Sequence, residues 1–434
     1  MPVELDATSP DFEQRFVALL AAKREQSADV DAAVADIIED VRARGDEALA
    51  DYSLRFDRID ARAVGLRIGA AEIAAAVAAC EPKALKALEF AHSRIADYHA
   101  RQKPADVRYV DALGVELGWR WRPIEAVGLY VPGGAASYPS SVIMNAVPAK
   151  VAGCRRIAMA VPTPDGALDP LVLAAARIAG VDEIYRVGGA HAIAALAYGT
   201  AAIAPVMKIV GPGNAYVAAA KRRVFGVVGI DMIAGPSELV ILADSSADPT
   251  FVAADLIAQA EHDGAAQSIL VTDEAALARA VAAEADRQLE QLPRAGIAGA
   301  SWRDYGAIIL AESLEAALPL IDRLAPEHLE IMARDAEALA ERINNAGAIF
   351  LGSNTPEAIG DYVAGSNHVL PTARSARFAS GLGVLDFMKR TSLLKCEVRS
   401  IAALGPAAVA LGKAEGLIGH ARSVELRLAN LSAS

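Results

Sequence analysis

The side chains most able to do chemistry are clustered in a few stretches of this 434-residue chain. Residues 251–264, Phe-Val-Ala-Ala-Asp-Leu-Ile-Ala-Gln-Ala-Glu-His-Asp-Gly, place Asp255, Gln259 and His262 at i, i+4 and i+7. On a helix these form one polar line, with Phe251, Val252, Leu256 and Ile257 on the opposite flank and Gly264 as a C-terminal stop. Such a line is usually the wet side of an amphipathic helix. An amide oxygen and an imidazole nitrogen one turn apart can also meet at a metal ion or a polar ligand. A second stretch, Leu324-Ala-Pro-Glu-His-Leu-Glu, sets Glu327 beside His328. Adjacent residues point apart on any regular element, so both reach one ligand only from a loop or an element end. The pair either caps an element or transfers protons. Gly360-Asp-Tyr-Val-Ala-Gly-Ser-Asn-His368 and Lys413-Ala-Glu-Gly-Leu-Ile-Gly-His420 bring further carboxylates and imidazoles. Cys80, Cys154 and Cys396 lack C-x-x-C spacing and read as free thiols of a reducing cytoplasm. Cys154 could in principle be a nucleophile, but its setting, Val-Ala-Gly-Cys-Arg-Arg, is an ordinary helix-to-strand corner.

Elements must position these groups. Residues 1–65 read as polar and helical, with Val34, Ile37, Ile38 and Val41 at helical spacing. Helices are expected at 71–80 and 82–102, with His92 and His99 as surface histidines of the second. Alternation around Gly114 predicts a hairpin over 109–124. From Ala126 onward strand-like runs (126–131, 156–161, 183–187, 206–210) alternate with helical ones, which argues for a parallel sheet wrapped by helices. Loops Val131–Ser140 and Gly211-Pro-Gly-Asn-Ala-Tyr216 each leave a strand and enter a helix, and Gly188-Gly-Ala-His191 closes a similar corner. Glycines there let backbone amides approach a pyrophosphate at a helix N-terminus, although none of the loops has the G-x-G-x-x-G fingerprint. A second alternating block carries strands at 237–243, 268–271, 307–310 and 348–351. The net charge of −12 and the lack of a basic cluster disfavour nucleic-acid binding. No signal peptide or membrane-spanning run is visible.

In these stretches the chain resembles the histidinol dehydrogenase family. The resemblance is carried by GLYVPGGAASYPSSVIMNAVPAKVAG, VGPGNAYVAAAKRRVFGVVGIDMIAGPSE, DLIAQAEHDGAAQS, APEHLE, GDYVAGSNHVLPT, RFASGLGVLDFMKRTS and EGLIGHARSV, and it covers nearly the whole chain. It implies an α/β protein of two Rossmann-like modules, aldehyde-dehydrogenase-like, with a helical N-terminal arm and an extended C-terminal tail. The implied units are an arm (1–25), a discontinuous α/β domain (26–129 plus 239–377), an inserted NAD-binding-like domain (130–238) and a dimerisation tail (378–434). The implied reaction is the four-electron oxidation of L-histidinol to L-histidine through the aldehyde, with NAD and one zinc per site, in a cytoplasmic homodimer.

Carried over residue by residue, the resemblance makes Gln259, His262, Asp361 and His420 the zinc ligands and Glu327 and His328 the acid–base pair. Substrate contacts fall on Ser237, Gln259, His262, Glu327, His328, Asp361, His368, Glu415 and His420. The family tail crosses to the partner, so Glu415 and His420 are expected to complete the neighbour's site. NAD contacts fall on Tyr130, residue 191 and Asn214; here the chain departs from the family, with His191 where Gln is usual. Two other readings are a sister dehydrogenase acting on another small diol or amino alcohol, such as a sulfopropanediol, and a catalytically silent nucleotide- and zinc-binding protein.

Overall fold

The computed structural model describes residues 2–22, 28–133, 138–233 and 235–432. Residues 134–137 of the first glycine loop lie outside the described residues. Two parallel sheets dominate. The first has five strands in the order Glu183–Arg186, Arg156–Val161, Ala126–Tyr130, Lys208–Val210, Gly229–Ile230. The second has six, in the order Val3–Asp6, Ala307–Leu310, Gln267–Thr272, Glu238–Ala243, His328–Met332, Ala348–Leu351. Its central strands 238–243 and 267–272 are buried at every residue, as expected where helices cover both faces of a parallel sheet. A separate antiparallel sheet joins Met388–Lys395 to the predicted hairpin, with strands Val107–Val110 and Glu116–Pro123 in the register Val107↔Trp119 to Val110↔Glu116.

The N-terminal segment differs from its polar, helical reading. Val3–Asp6 is a strand, parallel to Ala307–Leu310, and only Leu5 of its four residues is buried. An edge strand with one buried residue has too little alternation to be read from sequence. The helices that follow pack elsewhere: Val34, Ile37, Ile38 and Val41 join Ile193, Leu196 and Val217 in the core of the five-stranded sheet. His99 is also not a surface residue. It is fully buried, its Nδ1 2.8 Å from the Ile95 carbonyl and its Nε2 3.4 Å from the Asn367 amide, so polar partners inside the fold replace water.

The predicted 251–264 helix is Pro249–Ala260. It starts on Pro249 with Asp248 as N-cap, whose carboxylate accepts from Thr250 N. It ends before His262, whose amide donates back to the Gln259 carbonyl at 3.3 Å. Leu256 and Ile257 face the core, and Gln259 is fully buried with them. Ala325, φ +43°, ends the Leu314–Leu324 helix in the left-handed region and turns the chain at Pro326 into the strand that starts at His328.

Candidate functional site

The six-stranded sheet runs parallel, so the first residues of its strands share one edge. His328 opens its strand beside Glu238, which opens the neighbouring one, and Glu327 and Ser237 stand just before them. Glu327 and His328 therefore sit at an element end, where both can turn inward. Glu327 is buried and accepts from Glu238 N at 3.0 Å. Gly347 lies against it so closely that a Cβ would sit 2.5 Å from the Glu327 carbonyl. Two further segments arrive at this edge. The 249–260 helix ends there with Gln259 and His262, and the Glu357–Tyr362 helix brings Glu357 and Asp361.

His328 is ringed by acids. Its Nδ1 lies 3.1 Å from the Glu238 carbonyl, 3.2 Å from Glu357 Oε1 and 3.8 Å from Glu327 Oε2, and its Nε2 is 3.7 Å from Asp361 Oδ1. Burial alone would lower the imidazole, but Glu357, Glu327 and Asp361 hold it well above its ordinary value. Burial pushes the Glu327 carboxyl up to about 7, with His328 opposing. Glu357 is pushed up to about 8, also chiefly by burial. Asp361 goes the other way: burial opposes ionisation, but contact with His328 and the nearby His368 and His262 keep it below the usual carboxylate range. His368 is held by the Asp361 carbonyl (3.0 Å) and approaches Ser141 Oγ (3.4 Å).

One atom each from His262, Glu357 and Asp361 can lie within 4.8 Å of one another, a spacing that suits a metal ion. Turned with its nitrogen toward Glu357, the Gln259 amide donates to that carboxylate at 2.8 Å, which leaves its oxygen free to face elsewhere. The helix carrying Gln259 points its carbonyl end at this edge, which also favours a cation. The acid surplus, the donor types and their spacing therefore fit Zn²⁺.

Glu415 and His420 are not part of this gathering. They lie exposed on the C-terminal helical pair, Val398–Ala414 and Ile418–Ser432, which is tied to the hairpin through Ser400 Oγ and the Gly114 carbonyl (2.7 Å). The buried acids Glu357 and Glu330 escaped the sequence reading. Glu357 lies four residues before Asp361, a helical spacing that could have drawn attention to it. Glu330 is a lone acid in the apolar strand His-Leu-Glu-Ile-Met, two residues after His328 and on the same face.

The five-stranded sheet offers a different setting, at the carboxyl ends of its strands. Its order reverses between 126–130 and 208–210, the kind of switch point at which open parallel sheets form a ligand crevice. Gly211 (φ +111°) fits there because a Cβ would lie 2.1 Å from the Tyr130 carbonyl. The Gly211 amide donates to Asp231 (2.7 Å) and its carbonyl accepts from Lys221 (3.0 Å), and Lys221 and Asp231 form a buried ion pair. Asn214 caps the next helix, accepting from Tyr216 N and Val217 N. The buried Tyr130 hydroxyl accepts from Gly189 N at 3.1 Å, and burial pushes it up to about 12. His191 is also buried, its ring tilted against Tyr52 at 5.3 Å and Phe56 at 6.1 Å, with neither ring nitrogen hydrogen-bonded among the described residues. Burial depresses it to about 3, so it is neutral at physiological pH. Cys154 is buried, its thiol pushed up to about 11, which makes it a poor nucleophile.

The chain is thus an α/β protein with a topological switch point on one parallel sheet and a buried acid–imidazole cluster at the amino ends of the other. The family model for histidinol dehydrogenase matches residues 20–428. Histidinol dehydrogenase of Bradyrhizobium diazoefficiens is 66% identical over 432 residues, covering 100% of both chains. That of Rhodopseudomonas palustris is 65% identical, covering 99% of both. The crystal structure of histidinol dehydrogenase from Elizabethkingia anophelis superposes with a TM-score of 0.95 at 35% identity, covering 99% of both chains. The chain belongs to the histidinol dehydrogenase family and is an enzyme, an oxidoreductase. No helix among the described residues is long and apolar enough to cross a membrane.

Proposed function

We propose that the chain oxidises L-histidinol to L-histidine through the aldehyde, the closing reactions of histidine biosynthesis, with NAD as oxidant and one zinc per site. The observation that carries this reading is the convergence of His262, Glu357 and Asp361 on one point beside the buried Glu327–His328 pair. Gln259, His262, Asp361 and the partner subunit's His420 would hold the metal. When bound, NAD supplies the hydride acceptor and zinc supplies a fixed positive centre for the substrate's amine and imidazole.

The chain's own residues do the rest. An alcohol carbon can release hydride only as its hydroxyl proton leaves, and His328 takes that proton. The acids Glu357, Glu327 and Asp361 hold His328 above its ordinary value, and a positive centre held by Gln259, His262 and Asp361 would offset part of that field. The aldehyde must be hydrated before a second hydride can leave. Glu327, buried and poised near neutrality, withdraws the water's proton while His328 returns its own to the aldehyde oxygen, and the neutral His328 then takes the hydroxyl proton of the hydrate as the second hydride leaves. Ser237, His368 and the partner's Glu415 hold the substrate in register, Glu415 countering a cationic nitrogen. No thiol is needed, which suits the inert Cys154. Tyr130 shapes the crevice by fixing the Gly189 loop, Asn214 presents the next helix N-terminus, and His191 supports the corner through ring packing.

The direct test is turnover of L-histidinol with NAD by the purified protein, compared with a sulfopropanediol under the same conditions. Two reduced cofactors per histidinol, with the sulfopropanediol oxidised far more slowly, support the proposal. Preference for the diol would assign the chain to a sister activity, and no turnover of either would refute catalysis of this kind.

A further inference from the structure

Glu330 takes no part in the chemistry described above, yet it is nearly fully buried, 1% exposed, beside that site. It lies on the strand that starts with His328 and points to the same face. Its Oε1 accepts from Glu357 N, the first amide of the helix carrying Glu357 and Asp361, at 2.6 Å. Its Oε2 meets no ordinary donor among the described residues; the group in contact with it is the carboxyl of Asp255. Asp255 lies one turn before Gln259 on the helix that leads to His262. Two carboxyls in buried contact are stable only when a proton sits between them. Three segments that supply site residues therefore meet at one side chain.

We propose that Glu330 is a positioning residue that ties the three segments of the metal and acid–base cluster together, accepting from the Glu357 amide and donating to Asp255. The inference rests on the zinc-dependent reading above. A ligand set drawn from separate segments keeps its spacing only if the segments are fixed to each other, and supporting bonds behind metal ligands commonly matter about 10–100-fold in affinity. Glutamine in place of Glu330 can make both bonds, with its oxygen toward the Glu357 amide and its NH2 toward Asp255. Methionine fills similar space and makes neither.

The experiment compares wild type, Glu330→Gln, Glu330→Met and Asp255→Leu. Zinc affinity is read by chelator competition, and the Michaelis constants for histidinol and NAD are measured separately. Glu330→Gln is expected within about threefold of wild type in each. Glu330→Met is expected to bind zinc at least about tenfold more weakly and to raise the histidinol constant, leaving that for NAD unchanged because the crevice lies on the other sheet. General loosening of the fold would shift both constants. If Glu330→Met does not fold, Asp255→Leu decides, because it breaks only the bond to the 249–260 helix. Zinc binding at least about threefold weaker supports the proposal, and unchanged binding overturns it. Glu330→Gln as impaired as Glu330→Met, or Glu330→Met as tight as wild type, also overturns it. A wild-type protein that binds no zinc or leaves histidinol untouched would refute the functional reading instead.

Discussion

The five-stranded sheet builds the carboxyl ends of its strands largely from backbone contacts: Gly211 pressed on the Tyr130 carbonyl, Gly189 donating to the Tyr130 hydroxyl, Asn214 capping a helix. The six-stranded sheet does the opposite. Its cluster lies at the amino ends, built from the ionisable side chains Glu327, His328, Glu357 and Asp361, most of them buried. A dinucleotide needs close backbone and a helix N-terminus, which glycine loops supply at modest electrostatic cost. Proton transfer and cation binding need charge in a dry place, which destabilises the fold unless every charge has a partner. In the proposed function, one sheet gives shape to a cofactor and the other gives charge to a reaction.

The largest expected effect falls on the charged side. Glu327→Gln keeps the acceptor for Glu238 N but cannot take a proton from water. It should lower kcat by about 10²–10⁴-fold with little change in the NAD constant. With the carboxyl near 7, Glu327 gains a proton as pH falls below that value. Wild-type activity should therefore decline about tenfold per unit on the acid side, and the decline should vanish in the variant. A variant with the same acid limb would move water activation to another group.

The backbone-built side should fail differently. Gly211→Ala adds a Cβ 2.1 Å from the Tyr130 carbonyl at a φ of +111°, at a cost of about 2–4 kcal/mol. Melting temperature should drop and the NAD constant should rise, with zinc affinity unchanged. A parallel loss of zinc would show that the two regions are coupled more tightly than their separate sheets suggest.

How the tail enters can be tested by mixing subunits. Glu327→Gln and His420→Ala proteins should each be inactive, yet their equimolar mixture, after subunit exchange, should recover up to about a quarter of wild-type activity if His420 serves the partner's site. No recovery would mean that the tail serves its own subunit. The smallest effect is expected at His191. Because its ring is walled in by Tyr52 and Phe56, His191→Gln should alter the NAD constant by no more than about threefold. A tenfold change would show a direct bond to the cofactor.

Much of this was legible in the sequence because the elements are regular. Strand–helix alternation, the hairpin around Gly114 and the apolar flank of the 249–260 helix follow from simple periodicities. Glu327 and His328 are expected at an element end, where the structure places them, while their chemical role comes only from the resemblance. What stayed hidden depends on tertiary placement. Val3–Asp6 is a strand only because Ala307–Leu310 offers it an edge. His99 reads as a surface residue until Ile95 and Asn367 close around it. Glu330 reads as an ordinary strand acid and Asp255 as part of a helix's polar line, and only the meeting of the two side chains joins them.

The account stands most directly on cation dependence at the acid–imidazole cluster. NAD reduction with histidinol should fall below about one per cent of its rate after chelation and return with stoichiometric zinc, one ion per subunit. A stripped protein that turns over histidinol as fast as the zinc-loaded one would contradict it.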